Sequence, residues 1–266
     1  MTRSPTGTTP TPLRITRPIA TSRPAPRAAG YAERSGPLVR AGARSRVALT
    51  ALAAALVTAV LGWRYAGATD AGSTDRELTA LLDAQHGASR VLAQAFAALG
   101  GPLPVAVALV ALAPLAWFLR GGRGLALVLL GPPTAMVTTS LVLKPLVERT
   151  RGGELAFPSG HTTSVASLAV ACGVLVLGLT AVPRALRLLA VSGLAALVLA
   201  VGVGLVVRGY HYPTDTLGAL GVAAAVVLGA ALAIDAWSDV VGDPGPDPRS
   251  FDPRERPTDV LPRAAR

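Results

Sequence analysis

Six stretches of this chain come close to the length and composition that a lipid bilayer demands of a spanning helix. They run over about 47–65, 103–119, 124–143, 162–182, 186–206 and 215–236. Roughly 20 consecutive apolar residues cross a hydrocarbon core, and inside that core only a helix or a closed barrel satisfies its own backbone. Several runs near that length read as spanning helices. The fold class is therefore all-α, a polytopic membrane protein of six transmembrane helices. The whole chain is 51% hydrophobic and 15% charged, which excludes one ordinary soluble domain.

The connections set the orientation. Arg120-Gly121-Gly122-Arg123 and Pro183-Arg184-Ala185-Leu186-Arg187 are short, basic and free of acid, so the positive-inside bias puts them in the cytoplasm with the Arg-rich N-terminal arm. Six crossings return the C-terminus to the same side. Much of the formal charge of +10 lies in that arm, where it reads as an orientation signal and leaves no call for nucleic acid. Residues 1–45 and 238–266 are polar, Pro- and Arg-rich, and are expected to be disordered cytoplasmic segments flanking a membrane domain over 46–237. Between the first two spans, residues 69–101 carry a helical apolar pattern and read as an external, partly interfacial helix. His86 lies on it as a solvated surface residue. Cys172, the single cysteine, excludes an internal disulfide and reads as packing.

With this topology two polar clusters emerge together on the external face. The first is Lys-Pro-Leu-Val-Glu-Arg-Thr-Arg over 144–151, followed by Pro158-Ser159-Gly160-His161; the second is Arg208-Gly209-Tyr210-His211-Tyr212-Pro213-Thr214-Asp215. Charge beside hydrocarbon is costly and is usually retained for a function. Lys144 is the only lysine of the chain, and two of its three histidines fall in these clusters. Ser159 is a good N-cap, Gly160 lets backbone amides approach a ligand, and a helix start of this kind binds anions. Lys144 and Arg151 are seven apart, two turns on one helical face, with Arg149 pointing elsewhere unless the helix ends first. Arginine forks and a lysine ammonium suit phosphate oxygens. His211 and Asp215 are four apart around Pro213, so the carboxylate can hold one ring nitrogen and leave the other as a nucleophile. The same residues also read as a capped helix start with a satisfied polar cluster.

Together these clusters resemble the type 2 phosphatidic acid phosphatase (PAP2) superfamily of membrane lipid-phosphate phosphatases, whose motifs are K-x6-R-P, P-S-G-H and S-R-x5-H-x3-D on a six-helix core. Lys144 and Arg151 match the first motif, residues 158–161 the second, and His211 with Asp215 the end of the third. The resemblance covers roughly 47–236. It implies His211 as the nucleophile forming a phosphohistidine, Asp215 orienting it, and His161 protonating the leaving alkoxide. It further implies Lys144, Arg151, Ser159 and Gly160 around the phosphoryl oxygens, with no metal and no cofactor. Two positions depart from the pattern. Gly152 replaces the proline of the first motif, and Gly204-Leu205 replaces the Ser-Arg of the third. Arg208 lies three residues beyond Leu205, about 60° around a helix and one turn (~5 Å) along it. It either supplies the missing guanidinium or anchors the external interface by snorkelling.

The expected function is an integral membrane phosphatase acting on a lipid phosphate or diphosphate, its partners being that substrate and the bilayer. The substrate types that the resemblance offers are phosphatidic acid, phosphatidylglycerol phosphate and polyprenyl diphosphate. A weakened or inactive relative that binds anionic lipid headgroups is the alternative, motivated by Leu205. A solute transporter would spread its charges along a path, whereas every candidate here gathers at one face.

Overall fold

The computed structural model describes residues 36–83 and 90–242. Helix α1 (Arg44–Arg64) follows a short 3₁₀ turn at Ala41–Ala43 and is succeeded by two shorter helices, α2 (Ser73–Asp83) and α3 (Arg90–Leu99). The expected external helix over 69–101 is thus two helices, and His86 lies outside the described residues. Helix α4 (Pro102–Val137) continues through a π-helical turn (Thr138–Leu143) into the single turn of α5 (Lys144–Val147). Then come α6 (Gly160–Gly178), α7 (Arg184–Val207) and α8 (Pro213–Gly242).

Five of these segments are long and apolar enough to cross a membrane, the longest spanning Pro102–Val147. That one is not straight. Gly121 has φ 59° and ψ −148°, outside any helical conformation. A Cβ at Gly124 would stand 2.6 Å from the Ala116 carbonyl oxygen, although eight residues of straight helix would separate the two by about 12 Å. The chain therefore doubles back at Gly121, a conformation glycine takes at little cost. Arms 102–120 and 122–147 supply the second and third crossings, and the six expected crossings are present.

Helix α8 is the centre of the bundle, packed by α1, by α6 and by the second arm of α4. Small residues allow the approach. A Cβ at Gly221 would fall 2.2 Å from Thr58 Oγ1 and 2.7 Å from the Ala54 carbonyl, so α1 and α8 touch backbone to backbone, as membrane helices do where small residues face each other. Leu127, Val128, Ala171, Leu175, Val227 and Ala231 fill the interior of this packing.

One end of the bundle is closed by charge. Asp235, fully buried, accepts the backbone N–H groups of Leu38 and Val39, each at 2.8 Å, and an N–H of Arg123 at 3.2 Å. Arg120 donates to the carbonyls of Gly178 and Pro37. This corrects both tail boundaries. Composition assigned 1–45 to a disordered arm, yet Leu38 and Val39 are buried in the core, because two apolar residues with a carboxylate waiting for their amides need no periodic pattern to dock. Likewise α8 runs to Gly242 rather than stopping before 238, and Asp239 pairs with Arg44 at 2.8 Å. Helix α6 starts at Gly160 and ends at Gly178 beside Arg120, about 27 Å away along its axis. The Pro158–His161 turn therefore lies at the opposite end from this latch.

Candidate active site

At that opposite end α5 stops at Val147, and Glu148 takes a left-handed conformation with φ 53°. The chain then forms a two-stranded hairpin, β1 (Thr150–Arg151) against β2 (Glu154–Leu155), with Arg151 opposite Glu154. The shared helical face expected for Lys144 and Arg151 does not exist; a turn and a hairpin, not two turns of helix, carry the chain from one to the other. Lys144 is partly buried and donates from Nζ to the Leu155 carbonyl at 2.7 Å. The hairpin turns through Gly152 and Gly153, with φ 58° and 84°. Proline is locked near −65°, so the glycine at position 152 is what this turn requires.

Ser159 caps α6. Its Oγ accepts the Thr162 N–H at 3.3 Å, and its own N–H donates to the Asp215 carbonyl at 3.1 Å. The hydroxyl is thus engaged within the cap by Thr162 and the Ser159 carbonyl takes the Thr163 N–H at 3.0 Å, so of the first amides of α6 those of Gly160 and His161 are left without an intrahelical acceptor. The bond from Ser159 to Asp215 ties the Pro-Ser-Gly-His turn to the second cluster. His161 follows the cap and is exposed, two residues past the Ser159 amide that bonds Asp215. The turn after α3 presses on it from behind, since a Cβ at Gly100 would stand 2.7 Å from the His161 Cβ.

His211 is buried on the short connection between α7 and α8. Its Nδ1 has no hydrogen-bond partner and stands 3.6 Å from Asp215 Oδ2, beyond bonding distance. Asp215 itself is pinned: Oδ1 accepts from Arg149 at 2.7 Å and Oδ2 from the Tyr212 N–H at 2.9 Å. Arg149 is fully buried between the rings of Tyr65 and Tyr212, with its guanidinium carbon 4.1 and 4.4 Å from the ring centroids. It also donates to Asp75 Oδ2 at 2.5 Å and to Thr214 Oγ1 at 2.7 Å. Burial pushes the Asp75 pKa up, but hydrogen bonds from Thr214 and Arg149 outweigh it and hold the carboxyl below its ordinary value.

Arg151 lies over Tyr212, 4.2 Å from the centroid, and its Nη1 is buried without a partner. Arg208 caps the end of α7. The next residue, Gly209, would bring a Cβ to 3.7 Å from Arg151 Nη2, so the end of α7 abuts Arg151. The Arg208 Nε is also buried without a partner, and its guanidinium carbon is 5.7 Å from the Tyr210 ring centroid. Leu205 points elsewhere, 1% exposed in a core with Ala97, Val165 and Ala166.

Part of the sequence, and the fold, have known counterparts. Residues 126–239 match the family model of the PAP2 superfamily. Those residues form a PAP2-like core. Its fold also aligns with the crystal structure of the first transmembrane PAP2-type phosphatidylglycerolphosphate phosphatase from Bacillus subtilis, with a TM-score of 0.57 and 18% identity over 72% of this chain and 97% of that one. No curated protein shows a significant match.

The PAP2 core contains Lys144, Arg149, Arg151, Ser159, Gly160, His161, Arg208, His211 and Asp215, and the structure gathers the side chains of both sequence clusters at one end of the bundle. Sequence reasoning missed two members. Arg149 is expected to face away from Lys144 and Arg151 unless the helix ends before it; the helix does end, at Val147, and Arg149 turns into the protein, where it holds Asp215. Asp75 lies before the PAP2 match altogether, on α2. Its local context, an acid in the first turn of a polar helix, has an ordinary explanation in the helix dipole, and no local spacing links it to a partner 74 residues away.

Proposed function

We propose that this protein is an integral membrane phosphatase that hydrolyses a lipid phosphate or diphosphate through a phosphohistidine intermediate. One observation carries the reading: the Ser159 amide ties the turn that carries His161 to Asp215, and the Nδ1 of His211 stands 3.6 Å from that same residue's carboxylate, which Arg149 and the Tyr212 amide hold in place. With its proton on Nδ1, directed at Asp215, His211 offers the Nε2 lone pair to phosphorus. The N–P bond forms as the P–O bond to the lipid breaks, and His161 delivers a proton to the departing oxygen. Water, losing its proton to His161, then splits the N–P bond and releases inorganic phosphate. Lys144, Arg151, Arg208 and the amides around Gly160 face the charge that spreads over the equatorial oxygens in flight, where fixed cations and dipoles do most of the work.

Phosphatidic acid, phosphatidylglycerol phosphate and polyprenyl diphosphate are the substrate classes to compare. Purified protein in detergent with EDTA is expected to release phosphate from at least one of them. Binding of all three without release would favour the headgroup-binding alternative that Leu205 raises. The active site is proposed on the external face. In a Cys172→Ala background, Glu154→Cys on the exposed hairpin should react with an impermeant thiol reagent on intact cells, and Gly122→Cys only after permeabilisation. Labelling of Gly122→Cys from outside would reverse the orientation.

Arg208 is proposed to take the place of the guanidinium absent at Leu205. Its Nε is buried and unpartnered while Leu205 lies in an apolar core. Removing an electrostatic stabiliser of this kind costs on the order of 10²–10³ in rate, so Arg208→Ala should lower kcat by about that factor. Arg208→Lys should recover only part of it, because the planar fork is lost. An interface anchor would tolerate lysine, and equal kcat for Arg208→Lys and wild type would end the assignment.

A further inference from the structure

We propose that Asp75, on α2 outside the PAP2 core, is a positioning residue for the proposed hydrolysis, acting on His211 through Arg149 and Asp215. The inference rests on the phosphatase reading above and adds to it a residue and an element that none of its motifs contains.

From Asp75 to Asp215 the connection is continuous and buried. Asp75, Arg149 and Asp215 have no exposed side-chain surface. Asp75 uses both oxygens. Oδ1 accepts the Thr214 N–H at 3.0 Å and the Thr214 hydroxyl at 2.8 Å, and Oδ2 accepts Arg149 at 2.5 Å and the Gly72 N–H at 3.3 Å. Thr214 is the second residue of α8, so Asp75 satisfies one of the free amides of that helix start, where an anion is favoured by the dipole. The residue after Thr214 is Asp215. Asp75 therefore grips the turn carrying Asp215 from one side and, through Arg149, the carboxylate of Asp215 from the other.

The charges require the pair. A guanidinium with no exposed surface is costly unless its charge is matched and its N–H groups are bonded. Arg149 divides itself between two carboxylates: Nη1 takes Asp215 and the Thr214 hydroxyl, and Nη2 takes Asp75. Without the Asp75 charge, the whole of Arg149 falls to Asp215, drawing that carboxylate from the imidazole 3.6 Å away. Two further contacts hold Arg149 against the α1–α2 connection. Tyr65, at the end of α1, stacks under it, and the Thr150 N–H bonds the Ala68 carbonyl at 2.9 Å. The segment before the PAP2 core thereby becomes part of the device that aims the nucleophile.

A displacement of about 1 Å in a reacting group can cost on the order of 10² in rate. Asp75→Asn, which keeps an acceptor for Thr214 but removes the charge facing Arg149, should lower kcat by about that factor while KM changes less than about threefold. The deciding measurement is a double-mutant cycle with Asp215→Asn, followed with radiolabelled substrate so that low rates remain readable. If Asp75 works through Asp215, adding Asp75→Asn to Asp215→Asn should lower kcat by less than about threefold, since coupled residues are not additive. A full second loss on top of the first would overturn the inference, as would a wild-type kcat per folded molecule in Asp75→Asn. Should Asp75→Asn fail to fold, Thr214→Val removes the hydroxyl that bridges Asp75 and Arg149 without altering any charge, and the same cycle applies. Wild-type protein that releases no phosphate from any substrate defeats the phosphatase reading instead, so the two failures are distinct.

Discussion

His211→Ala is expected to abolish phosphate release, with kcat falling by about 10⁴ or more, because the atom that bonds to phosphorus is removed. The fold should survive. The His211 Nδ1 makes no hydrogen bond, and Asp215 keeps both of its partners, Arg149 and the Tyr212 amide, when the imidazole is gone. Loss of activity with an unchanged melting temperature in detergent would therefore separate chemistry from stability. Acid-labile, base-stable radiolabel trapped on wild-type protein should be absent from the variant. Wild-type turnover in His211→Ala would remove the phosphohistidine route, and retention of the label would move the nucleophile to another residue.

Much of this architecture was legible as hydrophobic length. The spans over 47–65, 162–182 and 186–206 have clear counterparts in α1, α6 and α7, because a bilayer imposes one length on every crossing. The Gly121-Gly122 joint announced its turn for a related reason: glycine at 121 provides the positive φ that reverses the chain. What failed was inference across a helix end. Lys144 and Arg151 share no helical face because Glu148 turns left-handed after Val147, and nothing in Lys-Pro-Leu-Val-Glu-Arg announces that turn. Gly152 looked like a lost proline and is a residue chosen by its φ.

The buried contacts across long distances in the chain were invisible for a different reason. Asp235 meets Leu38 and Val39, and Asp75 meets Arg149, through side chains whose neighbours in sequence explain them well enough locally. An acid in a first helical turn and an arginine in a basic loop are ordinary residues until the fold buries them against each other in a low-dielectric interior. Leu205 shows the converse. The motif marked it as a missing ligand, whereas the packing makes it a core residue of the α3–α6–α7 contact, and the guanidinium to examine is that of Arg208.

His161→Ala should divide the reaction by leaving group. His161 stands exposed at the start of α6, two residues past the Ser159 amide that bonds Asp215, and in the proposed reaction it reaches the departing oxygen without competing for phosphorus. An alkoxide leaving from a phosphate monoester is a strong base and needs a proton in the transition state, and positioned acid catalysis of this kind is worth about 10²–10⁴. The first half-reaction with phosphatidic acid should fall by that factor in His161→Ala. A phosphomonoester leaving from a polyprenyl diphosphate, or a nitrophenolate from an aryl phosphate, departs with little help, and its first step should stay within about tenfold of wild type. The second half-reaction has no such choice, because water must lose a proton whichever lipid has left. With a good leaving group the variant should therefore phosphorylate His211 quickly and hydrolyse it slowly. Rapid mixing should show a burst of polyprenyl phosphate or nitrophenolate approaching one equivalent, followed by a slow steady state, with radiolabel accumulating on the protein. An alkyl lipid phosphate should give no burst, since its first step is the slow one. A burst of equal size with both kinds of leaving group would remove His161 from the acid role. Equal slowing of both first steps would instead assign it to phosphate binding.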